Sequence, residues 1–355
     1  MMADDARADD DDDIFVYDGT QPVPDDVRRA RIHKDVKIVR ARAFENCNQL
    51  VYVEFHDGVQ IVEERAFCNC HSLRSGMKLL GIKIIKMRAF ERCSGLTDVE
   101  FGDKLETIES NAFIYCLSLK NIRMPSVRII GFRAFARCDE LSDVEFCEGL
   151  RTLQGEAFSS CSKLKRVALP LKDGIIEDKV FLFCPQLTTV DLVGGIHKTV
   201  ASLHDESWRS EMMDEINRIN QTLPTVEQEK FVFPTFRGGK TVVIQQWMES
   251  VICQLDHYKA EHHQMLMEAT TLLELALWKT NLGDNEKDEE VVMERLRARK
   301  ENCVTSCARI VIKNVLRVVG VRTARGGKER AREELRVTSG ADVVIKNVLP
   351  FLKLE

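Results

Sequence analysis

The stretch AFERCSGLTDVEF, residues 89–101, decides the fold. It contains the motif F-x-x-C-x-x-L, in which Phe90, Cys93 and Leu96 are each three residues apart. The motif occurs seven times, and its cysteines follow one another at intervals of 23, 23, 23, 22, 23 and 23 residues. These cysteines are Cys47, Cys70, Cys93, Cys116, Cys138, Cys161 and Cys184. A constant period of about 20 to 29 residues indicates a solenoid of similar coils.

The rest of each unit predicts a parallel β-sheet. An alternating strand follows the motif leucine, and it directs Val99 and Phe101 inward and Asp98 and Glu100 outward. An apolar pair, such as Ile84–Ile85, comes earlier in each unit. Stacked coils bury their apolar residues in one core, and seven strands at about 4.8 Å spacing give a sheet roughly 30 Å long. Repeat two departs from the pattern, so we expect a bulge there at Gly76.

The pattern I-x-x-x-A-F-x-x-C-x-x-L-x-x-V-x-F, over about residues 32–193, resembles the BspA-like class of leucine-rich repeat. The resemblance implies an α+β chain, with a leucine-rich-repeat solenoid and its parallel β-sheet followed here by an α-helical C-terminal region. It also implies a role in adhesion or protein binding and no catalytic residues. The tail segments 257–262, 270–279 and 340–352 resemble the C-terminal region of uncharacterised algal repeat proteins.

Composition divides the chain into three parts. Residues 1–14, which contain five consecutive aspartates at Asp9–Asp13, are expected to be a disordered acidic tail. Residues 15–199 are assigned to the solenoid of about seven repeats and residues 200–355 to the helical tail. The first residues lack a secretory pattern, and no apolar run reaches the roughly 18 residues of a membrane span, which favours a cytoplasmic protein without a membrane partner. The net charge of −5 argues against nucleic-acid binding.

The outward strand positions form the candidate binding surface, since a solenoid usually binds through its concave sheet. The chosen residues are Tyr52, Glu54, Asp98, Glu100, Asn121, Arg123, Asp143, Glu145, Arg166 and Asp191. With Ala168 and Thr189 they make twelve positions, of which six are acidic and two are arginine. This excess of acid predicts a protein partner with a basic surface. The alternative is that the charges only keep an exposed sheet soluble.

The tail contains one long helical pattern over about residues 241–280. Apolar residues follow a 4-3-4-3 spacing, typical of a heptad seam. The seam comprises Ile244, Met248, Val251, Leu255, Tyr258, His262, Met265, Ala269, Leu272 and Ala276. It predicts either docking against other tail helices or a coiled-coil homodimer. A shorter helix is expected near residues 203–221 and another from Lys287. Residues 298–316 and 331–349 match at 13 of 19 positions, which indicates a duplicated terminal segment.

Catalytic, metal and cofactor sites are not expected. Gly239-Lys240-Thr241 ends like a phosphate loop, but Pro234 stands where that loop needs its first glycine. The cysteine pairs 68/70 and 303/307 could begin a metal site, but Cys70 is a core repeat cysteine and Cys307 is replaced by Gly340 in the second copy of the duplicated segment. The histidines 257, 262 and 263 lack the H-E-x-x-H spacing. The sequence therefore predicts a non-catalytic interaction scaffold without cofactors. The alternatives are an enzyme subunit or regulatory protein with its site in the helical tail, or a surface adhesion protein.

Overall fold

A computed structural model describes residues 14–74, 76–193, 206–226 and 239–281 of the chain. Residues 14–193 of this part form a parallel-strand solenoid of about seven turns, and two helices follow it. This confirms the predicted fold class. The acidic run, the helix expected from Lys287 and the duplicated terminal segments lie outside the described residues.

Each turn contributes one strand to a series of longer strands. The series consists of β1 (Ile14–Tyr17), β2 (Arg29–Ile32), β4 (Tyr52–Glu54), β6 (Met77–Leu79), β8 (Val99–Phe101), β10 (Asn121–Met124), β12 (Asp143–Phe146), β14 (Arg166–Pro170) and β15 (Thr189–Val193). The strands pair in parallel in three groups, β1-β2-β4, β6-β8 and β10-β12-β14-β15. A bridge between Asp98 and Asn121 joins β8 to β10. The series is longer than the seven strands expected, because β1 and β2 precede the first F-x-x-C-x-x-L motif.

The ladder is interrupted between β4 and β6. Leu73 and Met77 are four residues apart in this coil, whereas the corresponding Leu96 and Val99 are three apart. Gly76 has a φ of +89°, and a Cβ atom placed on it meets nothing within 4 Å. The backbone conformation, and not lack of space, therefore favours glycine. The expected irregularity at Gly76 is present, but as a break in the sheet and not as a bulge within a continuous ladder.

The second apolar pair of each unit forms a two-residue strand. These strands are β3 (Ile38–Val39), β5 (Ile61–Val62), β7 (Ile84–Ile85), β9 (Thr107–Ile108), β11 (Ile129–Ile130) and β13 (Thr152–Leu153). They form one continuous parallel sheet in which each strand pairs with those of the adjacent coils. The second residue of each pair is buried, while the first points outward and leaves side chains such as Ile129 exposed.

A column of phenylalanine rings runs through the core. All seven motif phenylalanines are fully buried, and adjacent rings are nearly parallel. Centroid distances increase from 4.8 Å for Phe44–Phe67 to 6.0 Å for Phe158–Phe181. The Tyr17 ring lies 5.2 Å from that of Phe44 and closes the first end of the column. The aromatic repeat therefore packs between coils, where offset stacking adds to the burial of apolar area.

The repeated cysteine is explained by its hydrogen bond. In six coils the thiol donates to the carbonyl of the phenylalanine one coil earlier, at 3.1 to 3.3 Å. Burial raises the pKa of the Cys93, Cys138 and Cys161 thiols well above their ordinary value. A thiol is small enough for the stack and meets a buried carbonyl as a weak donor. The ten described cysteines are all free, so their periodicity serves packing and not cross-linking.

Two residues of each coil turn adopt a left-handed backbone conformation. They lie two positions before and two positions after the motif phenylalanine, with φ between 54° and 67°. The fourteen residues are Arg42, Asn46, Arg65, Asn69, Arg88, Arg92, Asn111, Tyr115, Arg133, Arg137, Glu156, Ser160, Lys179 and Phe183. This conformation costs roughly 1–2 kcal/mol for an L-residue. The hydrogen bonds between coils have to offset that cost at every turn.

Two helices, α1 (Glu206–Thr222) and α2 (Lys240–Asn281), follow the solenoid. Residues 209–226 and 239–253 form one compact unit with it. The Phe181 N–H donates to Thr241 Oγ1 at 2.9 Å. In an inner coil the equivalent Phe90 N–H donates to the backbone oxygen of Ala112 in the next coil. Val190 N–H donates to Asn220 Oδ1 at 2.8 Å. Helix side chains thus replace the backbone groups that a further coil would supply.

The ammonium group of Lys240 completes this end cap. Its Nζ donates to Pro185 O at 2.8 Å and to Leu187 O at 2.7 Å, and Lys240 is fully buried. Gln245 Nε2 donates to Ile176 O at 2.7 Å. The last coil would otherwise expose these carbonyl groups as an open edge, which solenoids cover with a capping element.

The first half of the predicted seam is buried within the chain. Ile244, Met248 and Val251 are buried in the unit that contains the solenoid. Leu255 and Tyr258 belong to the second unit, in which α2 continues from Gln254, and the Tyr258 ring stacks on Trp208 at 5.1 Å. Residues 244–258 therefore bury apolar side chains within the chain itself.

Replacing Phe113 with alanine tests the phenylalanine column. We expect the free energy of unfolding to fall by about 3–5 kcal/mol, because the cavity is flanked by rigid rings on both sides. Urea unfolding followed by circular dichroism measures the change. The matched control is Phe183→Ala, whose side chain is 65% exposed and whose effect should stay within about 0.5 kcal/mol. Equal effects of the two substitutions would contradict the packing role.

Replacing Thr241 with valine tests the end cap. Valine has the same shape but cannot accept the Phe181 N–H, so the buried donor loses its partner. We expect a loss of about 1–3 kcal/mol in unfolding free energy. The control is Thr225→Val, since the hydroxyl of Thr225 bonds at an exposed position. A Thr241→Val protein as stable as this control would show that the helix does not cap the solenoid.

Candidate binding surface

All ten predicted surface residues lie on the outward side of the longer strands. Tyr52, Glu54, Asp98, Glu100, Asn121 and Arg123 are exposed, and the four from β12, β14 and β15 are half-buried. Each alternates with buried apolar residues such as Val99 and Val144. The strands therefore orient these side chains as the alternation predicts.

The breaks in the ladder divide this surface, which we call the long-strand face, into three parts. Tyr52 and Glu54 lie beside β2. Glu100 lies beside Lys78 of β6. The remaining positions come together at the C-terminal end, where Asn121, Asp143 and Arg166 are consecutive neighbours across strands. Ala168, also predicted to point outward, is buried between Glu145 and Asp191.

Five of the six carboxylates of the long-strand face are paired with basic side chains on adjacent strands, while Asp98 accepts a hydrogen bond from Thr97 Oγ1. Glu54 lies 2.6 Å from Arg31. Glu100 lies 3.9 Å from Lys78, and Glu145 lies 3.5 Å from Arg123. The pairing arises because parallel registration places residues one coil apart side by side. The face is consequently a set of cross-strand ion pairs and not a uniformly acidic ladder.

Arg166 holds the most connected of these pairs. Its guanidinium group donates to Asp191 Oδ2 at 2.5 Å and to Asp143 Oδ1 at 3.0 Å, so it joins three strands. Partial burial lowers the pKa of Arg166, but the hydrogen bonds to Asp191 and Asp143 outweigh that effect and raise it. The side chain is 37% exposed, so water screens the charges and the network orients side chains more than it stabilises the fold.

Three basic residues of the face were missed by the sequence pattern. Arg29 and Arg31 belong to β2, which precedes the first motif, and Lys78 follows the irregular Gly76. With Arg123 and Arg166 they give five basic side chains against six acidic ones. The sequence did contain a pattern that could have identified Arg29 and Arg31 as outward residues. Ala30 and Ile32 alternate with them as the apolar residues of the later strands alternate with their outward neighbours. The expected excess of acid therefore shrinks to one charge.

The N-terminal end of the long-strand face contains an open groove. It is lined by Ile14 of β1, the arginines 28, 29 and 31, and Tyr52 and Glu54 of β4. Three guanidinium groups and one carboxylate give this lining a positive balance. Arg28 and Tyr52 are exposed. This groove, hereafter the basic groove, differs in charge from the rest of the face.

A metal site does not assemble in the described part of the chain. Among those residues, no three histidine, cysteine or acidic side chains could hold a metal ion together. Burial raises the pKa of Cys68 to about 11, and nearby Glu91 and Glu45 add to the effect. Such a thiol is a poor nucleophile and a poor metal ligand at neutral pH. Lys240 and Thr241, the end of the rejected phosphate loop, are buried in the end cap.

None of the described helices is both long enough and apolar enough to cross a bilayer.

Several solved structures resemble the chain at low similarity. A leucine-rich repeat protein of T. pallidum is 26% identical over 44% of this chain and 83% of its own, with a TM-score of 0.36. A leucine-rich cell surface protein of Faecalibacterium prausnitzii is 21% identical over 47% and 60%, with a TM-score of 0.32. A leucine-rich repeat protein of Bacteroides ovatus is 21% identical over 47% and 55%, with a TM-score of 0.33. TM-scores this low support no further argument.

The match to a family model is more extensive. The model of the BspA type leucine-rich repeat region, in six copies, matches residues 26–127 and 107–232, more than half of the chain. No curated protein matches the chain. The resemblance of the tail to algal repeat proteins stays a prediction. The repeat motif, the parallel solenoid and this match agree, and the chain belongs to the BspA-type leucine-rich repeat family.

Proposed function

We propose that this chain is a non-catalytic scaffold that binds a protein partner on the long-strand face. Leucine-rich repeat proteins typically mediate protein interaction or adhesion and are generally not enzymes. The observation that carries the proposal for this chain is the series of ion pairs on the long-strand face. Their side chains project from a sheet whose other side is fully packed.

The paired charges suit recognition because they are held in place. Arg166 is fixed between two carboxylates, and Arg31 and Glu54 are fixed by each other. A partner that meets ordered side chains loses less conformational entropy on binding. Complementary charge mainly provides specificity and correct orientation.

The near balance of charge changes the expected partner. The face carries six acidic and five basic side chains, and acidic and basic residues are cross-strand neighbours in the pairs 31/54, 78/100 and 123/145. A plainly basic surface would therefore be repelled by the basic member of each pair. We therefore propose a partner with alternating charges, which can pair with both members of each ion pair. The alternative that these charges only solubilise the sheet makes the opposite prediction, because scattered substitutions on the face would then have no effect on binding.

The tail has a structural part in this proposal. The end cap uses Lys240, Thr241 and Gln245, and the first half of the α2 seam is buried within the chain. Homodimerisation through residues 244–258 would require these contacts to open. A dimer stays a prediction for later seam positions, of which Ala269, Leu272 and Ala276 lie outside the described side chains. The cytoplasm stays the predicted location.

Arginine substitutions on the two sheets test the binding face. Asn121→Arg with Thr189→Arg places two long side chains on the long-strand face. Thr107→Arg with Thr152→Arg places the same two on the outward side of the short strands, as a matched control. We expect affinity capture from cell lysate to lose its partners with the first pair and to retain them with the second.

Melting temperatures of both proteins establish that neither pair unfolds the chain. An identical set of captured proteins for both double variants and the unmodified chain would reject the long-strand face as the binding surface. A set lost only with the short-strand variant would move the proposal to the other sheet.

A further inference from the structure

One row of outward side chains on the long-strand face alternates in charge from coil to coil. We call it the alternating row, and its members are Arg31, Glu54, Lys78, Glu100, Arg123 and Glu145. Strand pairing aligns them in the pairs 31/54, 78/100 and 123/145, and the bridge between Asp98 and Asn121 keeps β8 and β10 in the same register. Lys78 follows the buried Met77 as Glu54 follows the buried Val53, so the row continues across the break between β4 and β6. Basic and acidic residues therefore take turns over six consecutive coils.

An even number of alternating charges is complementary to a copy of itself that runs in the opposite direction. Two copies of the chain can place their long-strand faces together about a two-fold axis that lies between the faces. An axis parallel to the strands, midway between β6 and β8, reverses the order of the coils in the second copy. Each charge of the row then faces an opposite charge, in the pairs Arg31 with Glu145, Glu54 with Arg123 and Lys78 with Glu100. An axis along the stack would instead set each coil against the same coil and bring like charges together.

The neighbouring row of outward residues fits the same arrangement. It lies two residues earlier in each strand and contains Arg29, Tyr52, Gly76, Asp98, Asn121 and Asp143. About the same axis, Arg29 faces Asp143 of the second copy, which again joins opposite charges. Tyr52 faces Asn121, and Gly76 faces Asp98, so these contacts contain at most one charge each. Both rows therefore avoid contacts between like charges.

The two ends of the alternating row are apolar, and they also match. Strand pairing places Val16 beside Arg31 at one end and Ala168 beside Glu145 at the other. Val16 is 41% exposed although it is apolar, whereas Ala168 is buried. The axis that pairs the charges sets Val16 against Ala168 of the second copy. A basic residue at position 168 would continue the alternation, but it would face an apolar side chain, so alanine fits better there.

We propose that the long-strand face binds the same face of a second copy of this chain, with the order of the coils reversed. This inference rests on the proposed binding role of the face and names its partner, because the chain itself carries the alternating charges that the partner needs. The eight strands from β1 to β14 extend over about 34 Å, and the outward residues cover a width of about 10 Å. Such an area is smaller than the roughly 800 Å² per copy of a standard interface, so the dimer is weak.

Charge reversal at the centre of the row tests the dimer. Lys78→Glu replaces two attractive contacts with two repulsive ones, because the two-fold axis repeats the contact with Glu100. We expect sedimentation velocity to detect a dimer of the unmodified protein at about 100 µM. The dissociation constant of the variant should be at least about tenfold higher. Adding Glu100→Lys to Lys78→Glu should restore the dimer, since opposite charges then face each other again.

The matched control is Lys83→Glu, which makes the same change in net charge. Lys83 is exposed and precedes a short strand, so it lies outside the long-strand face. This variant should form the dimer as the unmodified protein does. The dimer should also weaken as salt is added, because the charges at its edges are screened. Thermal melting followed by circular dichroism establishes that each variant is folded.

Cross-linking tests the order of the coils. Tyr52 and Asn121 are uncharged and face each other across the axis, whereas within one chain they are three coils, or about 14 Å, apart. The variant with Tyr52→Cys and Asn121→Cys should therefore give cross-linked dimers with a short bifunctional maleimide. Either substitution alone should give few, because each residue is also about 14 Å along the stack from its equivalent in the second copy. The unmodified protein is the control for the exposed Cys253.

Three results would overturn the inference. One is an unmodified protein that is monomeric at about 100 µM and above. Another is a Lys83→Glu variant that dissociates as readily as Lys78→Glu, or a double charge swap that does not restore the dimer. The third is cross-linking of the single cysteine variants as strong as that of the double variant. A monomeric chain whose captured proteins are still lost with Asn121→Arg and Thr189→Arg would exclude the second copy and leave the proposed function in place.

Discussion

The hydrogen bonds between consecutive coils are the constraint on which the rest of the structure depends. Each of the first six motif phenylalanines donates its N–H to the carbonyl oxygen of the residue that precedes the next motif phenylalanine, at 2.7 to 3.0 Å. A donor must therefore meet an acceptor at the same place in every coil. Unequal coil lengths would break this match, which explains the near-constant period. In the one interval of 22 residues, the missing residue falls in the turn Met124–Val127. In this turn Ser126 Oγ donates a hydrogen bond to Leu105 O at 2.8 Å.

A stack of this kind has two ends that are chemically unlike its middle. At the first end Tyr17 supplies the aromatic ring, and its hydroxyl is 3.4 Å from the Arg40 N–H that donates to it. Burial raises the pKa of Tyr17, so the ring stays neutral in this position. At the other end Thr241, Asn220 and Lys240 provide polar atoms in place of a further coil. Both caps are built from residues outside the seven motifs.

The sequence predicted the features that depend on a recurring residue type and missed those that do not. The seven motifs predicted the parallel stack, the buried phenylalanines and the outward alternation, because each follows from a period that recurs in phase. The left-handed positions could not be predicted from the sequence, because no single residue type recurs at them. Arginine, glutamate, tyrosine and phenylalanine all occur there.

The ion pairs were predicted only in part. The pattern identified the carboxylates of Glu54 and Glu100 but not their basic partners, which lie before the first motif and after an irregular glycine. The end cap could not be inferred either. Its polar side chains, such as Thr241, come from a helix 60 residues beyond the group they contact.

The uniform interface between coils makes the length of this protein adjustable. Because the two faces of a coil are complementary to any other coil, a unit can be gained or lost without a change to Tyr17 or to the helices that close the far end. Each such event would lengthen or shorten the sheet by about 4.8 Å and shift all later residues by the same step. A lineage carrying this architecture can thus tune the reach of its surface in fixed increments while its termini stay constant.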